Sequence, residues 1–429
     1  MVVWDDKKFA SNSTEKIFDD YRSASSSPGT TLRENGHFNT GYNQSAKKIE
    51  AEYETPYQVH VPMEPLNAIV SVEKEKCEFW GSTQNPNGIR AFLSERYGVA
   101  PEKVKINYTF MGGGFGRRSM LDIVEQAAEL SHKTGAPVKL IWTREDDVTQ
   151  GPFRACSLNS CKGGIDDQGN PVALEHKIIC QDIRNQTGES MEPTDGIMGG
   201  VVTDYEIPNF KVSGVLRKHY IPISYWRSVY HSTNCFAHES FMDELAHAAG
   251  KDPVDFRLSI LKNHRRYTKV LETVAEKSGW YNKKDNGIGR GVAIVERSGA
   301  FVAMVVKIGR VNGRVRPIKI ITAVDCGVCV HPNNLRAQTE GSVIMALTAA
   351  FKGAITIEKG KVAQNNFNDY AMLRLHECPE IETHIVKSED PPEGAGETGL
   401  PTLAPALTNA IFDLTGKRIR KLPFDINAV

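Results

Sequence analysis

Apolar and polar positions change period several times along the chain. A strand-like run at 103–110 leads into the glycine-rich stretch 111–116. Leu121, Val124, Ala128 and Leu130 then fall on or near one face of a helix predicted over 119–132. Gly135 and Pro137 stop that helix before a second strand at 138–143. The turn-forming Gly163-Gly164-Ile-Asp-Asp-Gln-Gly169-Asn170 predicts a hairpin followed by a strand at 172–180. A helical block from 234 to 250 carries Ala237, Phe241, Leu245 and Ala248 at the spacing of one buried face, with Glu239, Asp243 and Glu244 expected mostly outside it. Asp252-Pro253 starts a further short helix to 261.

A Lys/Asn/Gly-rich connector at 279–291 marks a domain boundary. Beyond it come strands at 291–295, 301–308 and 315–324, a helix at 334–351, two more short strands, and a terminal helix at 404–414 with Pro405 in its first turn. Residues 11–48, rich in Ser, Asn, Gly and charge, read as a long connecting segment over a surface, and Val2-Val3-Trp4-Asp5 reads as a strand end. Helices and strands mix without strict alternation, which predicts an α+β fold. The expected division is a linker or remnant of an upstream domain at 1–48, a first domain at 49–280 and a second at 281–429.

Composition narrows the partners. The 429 residues suffice for two to four domains, and 52 basic residues balance 52 acidic ones. A zero net charge gives no basic surplus for nucleic acid or an anionic membrane. No apolar run approaches the ~20 residues that span a bilayer, and the amino terminus lacks a signal peptide's basic and apolar segments. The eight cysteines, at 77, 156, 161, 180, 235, 326, 329 and 378, form no regular framework. Cys326-Gly-Val-Cys329 has the spacing of a redox pair or metal knuckle, but no second pair completes a four-thiolate site. Nor do the 12 histidines include a His-Glu-x-x-His motif.

Several loops can carry chemistry. Gly394-Ala395-Gly396-Glu397-Thr398-Gly399 places one carboxylate among glycines before a helix, as a chain presents a base to a bound reactant. Met111-Gly112-Gly113-Gly114-Phe115-Gly116-Arg117-Arg118 allows successive backbone N–H groups to face an anionic ligand, with Arg117 and Arg118 adding charge. Arg117 stands where the dinucleotide fingerprint needs its third glycine, and no Gly-Lys-Ser/Thr closes a phosphate loop. Ser224-Tyr225-Trp226-Arg227-Ser228 sets an arginine beside two aromatics, and Gln338 is an amide early in the 334–351 helix. A Ser or Cys hydrolase has little support, because no Gly-x-Ser-x-Gly elbow is present.

Taken in order, these segments resemble the molybdenum-binding large subunit of the xanthine dehydrogenase and aldehyde oxidase family, most nearly its isoquinoline 1-oxidoreductase branch. Gln58-Val-His-Val-Pro-Met-Glu64-Pro is similar to that family's Gln-x-His-x-x-x-Glu segment and Gly113-Gly114-Phe115-Gly116 to its glycine-phenylalanine loop. Trp226-Arg227-Ser228 is similar to its aromatic-arginine loop, Ala337-Gln338-Thr-Glu-Gly341 to its Gly-Gln-x-x-Gly helix, and Gly396-Glu397 to its terminal Gly-Glu. The resemblance extends from about residue 50 to the end.

It implies two mixed α/β-layer molybdopterin-binding domains and a hydroxylase that oxidises an aldehyde or N-heteroaromatic substrate with oxygen from water. Glu397 would be the base. Gln58 would face the molybdenum, Phe115 and Arg227 would hold its oxo or pterin groups largely through backbone N–H, Gly113, Gly114 and Gly116 would bind the cofactor with them, and Gln338 would touch the pterin. No side chain would ligate the metal directly. The implied cofactors are molybdenum-molybdopterin in its cytosine dinucleotide form and a 2Fe–2S cluster on a small iron–sulfur partner. Thr398 departs from the proline usual after the glutamate, and the branch's Gly-Gln-Gly and Thr-Gly-Gly-Ser segments do not occur. The expectation is therefore the carboxyl-terminal part of a larger subunit, needing its amino-terminal part, in a periplasm or cytoplasm the sequence does not choose between. The competing expectation is a truncated or degenerate cofactor-free interaction module of the same fold.

Overall fold

Near-continuous burial along Ser157–Ile165 and Pro171–Cys180 makes these strands the middle of a covered sheet. They form the expected hairpin, its turn closed by Asp166 Oδ1, which accepts the N–H groups of Gln168 at 2.9 Å and Asn170 at 2.8 Å. The coordinates are a computed structural model that describes residues 7, 9–185, 192–283 and 285–429. The strand end expected at 2–5 lies outside the described residues.

That sheet has five strands in the order Thr30–Asn35, Asn209–Leu216, Pro171–Cys180, Ser157–Ile165, Lys47–Thr55, with one parallel pairing between Pro171–Cys180 and Asn209–Leu216. A second sheet runs Val104–Tyr108, Cys77–Gly81, Asn67–Val72, Val138–Ile141 and packs its own core, including Val70, Phe79, Leu93 and Val124, under the helices Pro86–Tyr97 and Asp122–Thr134. A third is the meander Ile288–Arg297, Ala300–Val311, Arg314–Asp325, extended by the parallel strand Glu380–Ile385. The terminal helix Leu403–Thr415 lies directly on it: a Cβ at Gly291 would meet Ala406 O at 2.2 Å and Ala410 N at 2.3 Å, so only glycine permits that approach. Strands and helices mix irregularly among the described residues, as an α+β fold requires.

Two expectations change. The segment 11–48 is not a bare connector. It forms the helix Thr14–Ser25, the edge strand Thr30–Asn35 and the helix Phe38–Gln44, and buries Ile17, Phe18, Tyr21 and Ala24 in the main core. Those apolar positions recur at helical spacing inside a charged stretch, so composition hid what periodicity carried. Ser13 Oγ caps this helix by accepting Lys16 N–H at 3.2 Å. Ser13→Ala should therefore lower stability by about 1 kcal/mol, read as a shifted urea midpoint with unchanged slope.

The second change concerns the helix His231–Ala248. All residues from Ser232 to Ala246 are buried, Glu239, Asp243 and Glu244 included. The carboxylates are tolerated inside because each meets a cation: Glu239 meets Arg257, Asp243 meets Arg418, and Glu244 meets Arg420 through two bonds of 2.9 and 2.6 Å. The helix packs on the first sheet and on the terminal helix, so no face is left for solvent.

Candidate functional site

The loop after Val104–Tyr108 owes its shape to backbone conformations that side chains resist. Gly113 and Gly116 both have φ of 102°, and Phe115 itself is left-handed at 54°. A Cβ on Gly116 would stand 1.8 Å from Tyr225 O, so this glycine seats the loop against the Tyr225–Trp226 backbone. Gly116→Ala is expected to cost well over 1 kcal/mol and to separate the two loops, seen as a lowered denaturation midpoint and altered Trp226 fluorescence.

Glu64 braces the loop from behind. Its Oε2 accepts Gly112 N–H at 2.7 Å and pairs with Arg118 at 2.9 Å, while Oε1 accepts Asn67 Nδ2 at 2.9 Å. Burial opposes its ionisation, but the Asn67 and Gly112 hydrogen bonds and the Arg118 charge outweigh that and hold the carboxyl below its usual range. Arg117 and Arg118 do not face a ligand, contrary to the reading of the sequence. Both are buried, Arg117 in a bidentate pair with Asp122 at 2.9 and 2.6 Å and over the Trp142 ring, Arg118 on Gly113 O at 2.9 Å. The following helix also begins later than expected, at Asp122 after a 3₁₀ turn Arg117–Ser119, so its first N–H groups do not serve the loop.

Gln58 is buried and engaged at both ends: Nε2 donates to Gly353 O at 2.6 Å and Oε1 accepts Tyr370 OH at 2.6 Å. Two residues on, His60 Nε2 meets Tyr225 O at 2.8 Å, so Nε2 carries the proton, and the buried Nδ1 is an acceptor without a partner among the described residues. Burial, as the main cause, pulls the ring down to about 3, which keeps it neutral.

Three separated motifs meet at Arg227. Its Nη2 donates to Gln338 O at 3.0 Å, Gln338 Oε1 at 2.9 Å and Gly396 O at 2.5 Å, and Nε donates to Gly396 O at 3.1 Å. Ser228 Oγ donates to Glu397 O at 2.7 Å. The guanidinium is thus occupied in aligning the Gln338 helix and the Glu397 loop. Glu397 Oε2 faces Arg297 Nη2 at 2.8 Å, and its side chain is 39% exposed. Ser228 is part of the aromatic-arginine loop, though the sequence assigned it no role, whereas nothing near Arg297 or Tyr370 in the chain signals their partners.

A cavity of about 330 Å³ lies between the glycine loop, the Gln58 segment and the helix Pro332–Phe351. Gln58, His60, Gly113 and Phe115 line it, with an apolar wall that includes Ile344 and Met345. Arg227, Gln338 and Glu397 are not in its lining. They join it through Trp226 and Gly341, which are. No cluster of three or more His, Cys, Asp or Glu placed for a metal occurs among the described residues. The N–H groups of Gly113 and Phe115 have no protein acceptor among the described residues, and with the His60 Nδ1 lone pair and the apolar wall they suit a flat ring with a hydrogen-bonding edge. A bare phosphate fits less well, since both loop arginines are turned away.

Residues 24–261 match a family described as molybdopterin cofactor-binding domain, and 234–379 match a second family of the same description. The beta subunit of isoquinoline 1-oxidoreductase from Brevundimonas diminuta is 31% identical over 392 residues, covering 88% of this chain and 50% of that protein. One subunit of nicotinate dehydrogenase from Pseudomonas putida is 28% identical over 428 residues, covering 93% of this chain and 36% of its own length. The chain thus spans about half or less of these relatives. In fold it is similar to reconstituted CO dehydrogenase from Oligotropha carboxidovorans, with a TM-score of 0.79 at 13% identity over 99% of this chain and 81% of that one. Quinoline 2-oxidoreductase from Pseudomonas putida gives 0.77 at 14% identity, over 92% and 78%.

Proposed function

The chain belongs to the molybdopterin-dependent oxidoreductase family through its molybdopterin cofactor-binding domains, and from that premise we propose that it builds the base-bearing side of a hydroxylase site. The substrate class is an aldehyde or an N-heteroaromatic ring, with water as oxygen source and an iron–sulfur subunit as electron acceptor. The observation that carries this reading is the convergence of Gln338, Gly396 and Glu397 on Arg227 and Ser228. Segments far apart in the chain are aligned there beside a cavity with free backbone donors.

When bound, the molybdenum cofactor in its cytosine dinucleotide form supplies the oxygen-transfer and two-electron chemistry. Gly113 and Phe115 would hold its edge through backbone N–H, with Gly114 and Gly116 giving the loop its shape, Gln58 flanking it and Gln338 reached through Arg227. Glu397 Oε2 would be the proton acceptor beside that group, and Arg297, across from it, would orient the carboxylate. The apolar wall of Ile344 and Met345 excludes water and accepts an uncharged ring.

One observation favours the cofactor-free alternative: the Gln58 amide is satisfied within the protein at both ends. Molybdenum analysis with pterin release decides between them, on the purified chain and on the chain co-produced with the amino-terminal part of the large subunit and an iron–sulfur subunit. About one metal per chain in either preparation supports the site. Its absence from both would leave an interaction module.

A further inference from the structure

Cys326 and Cys329 lie outside the chemistry above, yet their turn is fastened to the segment that presents Glu397. Cys326 O accepts Glu393 N–H at 2.9 Å, and Val328 N–H donates to Asp390 O at 2.9 Å. Gly327, at φ 71°, approaches so closely that a Cβ there would stand 1.9 Å from Pro391 O. Both cysteines join one small cluster with Leu335 of the Gln338 helix and Ala395, two residues before Glu397. The turn is anchored on its other side by Asp325, which accepts Gly327 N–H at 2.9 Å and pairs with Arg266 at 2.8 Å.

The thiols differ in access. Cys326 is buried and Cys329 is half-buried, both are free, and the two lie three residues apart across the Gly327 turn in the same apolar cluster. That is the division of labour of a dithiol pair, with an accessible attacking sulfur and a sheltered resolving one. We propose that Cys326 and Cys329 form a reversible disulfide that stiffens the 390–397 loop and so couples the redox state of the surroundings to the position of Glu397. Cys329 as thiolate attacks the S–S bond of a small disulfide such as oxidised glutathione, releasing one glutathione thiolate. The Cys326 thiolate then attacks Cys329 Sγ and releases the second. Two protein thiols lose two electrons and two protons, and one glutathione disulfide becomes two thiols.

The pairing is read without any cofactor. The protein is incubated with oxidised glutathione or with dithiothreitol, alkylated, digested and weighed. A 326–329 peptide lighter by about 2 Da and unalkylated after oxidation, and doubly alkylated after reduction, is expected. Two alkylated thiols after oxidation, or a stable glutathione adduct on Cys329, overturns the pair. Hydrogen exchange then tests the coupling. Amides in 390–397 should exchange more slowly in the oxidised protein, and this difference should vanish in Cys329→Ser at unchanged thermal midpoint. A disulfide that forms with no change in that segment overturns the link to Glu397.

Discussion

Glu397→Gln is expected to abolish most turnover of the molybdenum-loaded complex, by about 10²–10⁴-fold, while leaving metal and pterin content as they were. The amide matches the carboxylate in size and still offers Arg297 an oxygen, and the bonds that shape the loop run through Gly396 O and Glu397 O, which the substitution does not touch. What disappears is the capacity to take up a proton at Oε2. A holo-complex with unchanged kcat would remove Glu397 from the role of base. One that lost its metal would instead assign the residue to cofactor retention.

The largest expected loss of stability belongs to Glu239→Ala, about 3–5 kcal/mol. Glu239 and Arg257 are both fully buried and joined at 2.9 Å. Burial alone would push the Arg257 guanidinium down, and the Glu239 charge beside it more than offsets that, raising it instead. Glu239 Oε1 also accepts Tyr205 OH at 2.7 Å, and Oε2 accepts Ile294 N–H at 2.9 Å. One carboxylate therefore ties the central helix to the short helix Pro253–Ser259, to the loop at 205 and to the strand Ile288–Arg297. Alanine would strand a buried cation, a phenol and a strand N–H together. Urea unfolding measures the effect, and a loss below about 1 kcal/mol would mean that water or a rearranged partner replaces the carboxylate.

Local pattern determined much of this protein. Glycines and prolines punctuate the chain at the ends of its elements, the meander of the third sheet follows from three apolar runs with turn residues between them, and the Gly113–Gly116 loop declares its backbone demands in its composition. The family resemblance implied that these motifs share one cofactor site, but not that they meet on Arg227. Besides Gln338 Oε1, the acceptors of Arg227 are the backbone carbonyls of Gln338 and Gly396, which no side-chain pattern encodes. Tertiary structure alone decided which charges face inward. Glu239, Asp243 and Glu244 look like the solvent face of a helix until arginines from 257, 418 and 420 arrive to neutralise them, and Arg117 and Arg118 look like ligand clamps until Asp122 and Glu64 claim them. The reason is that hydrophobic periodicity is written within one element, whereas the cost of burying a charge is settled by a partner whose distance along the chain is unrelated to its distance in space.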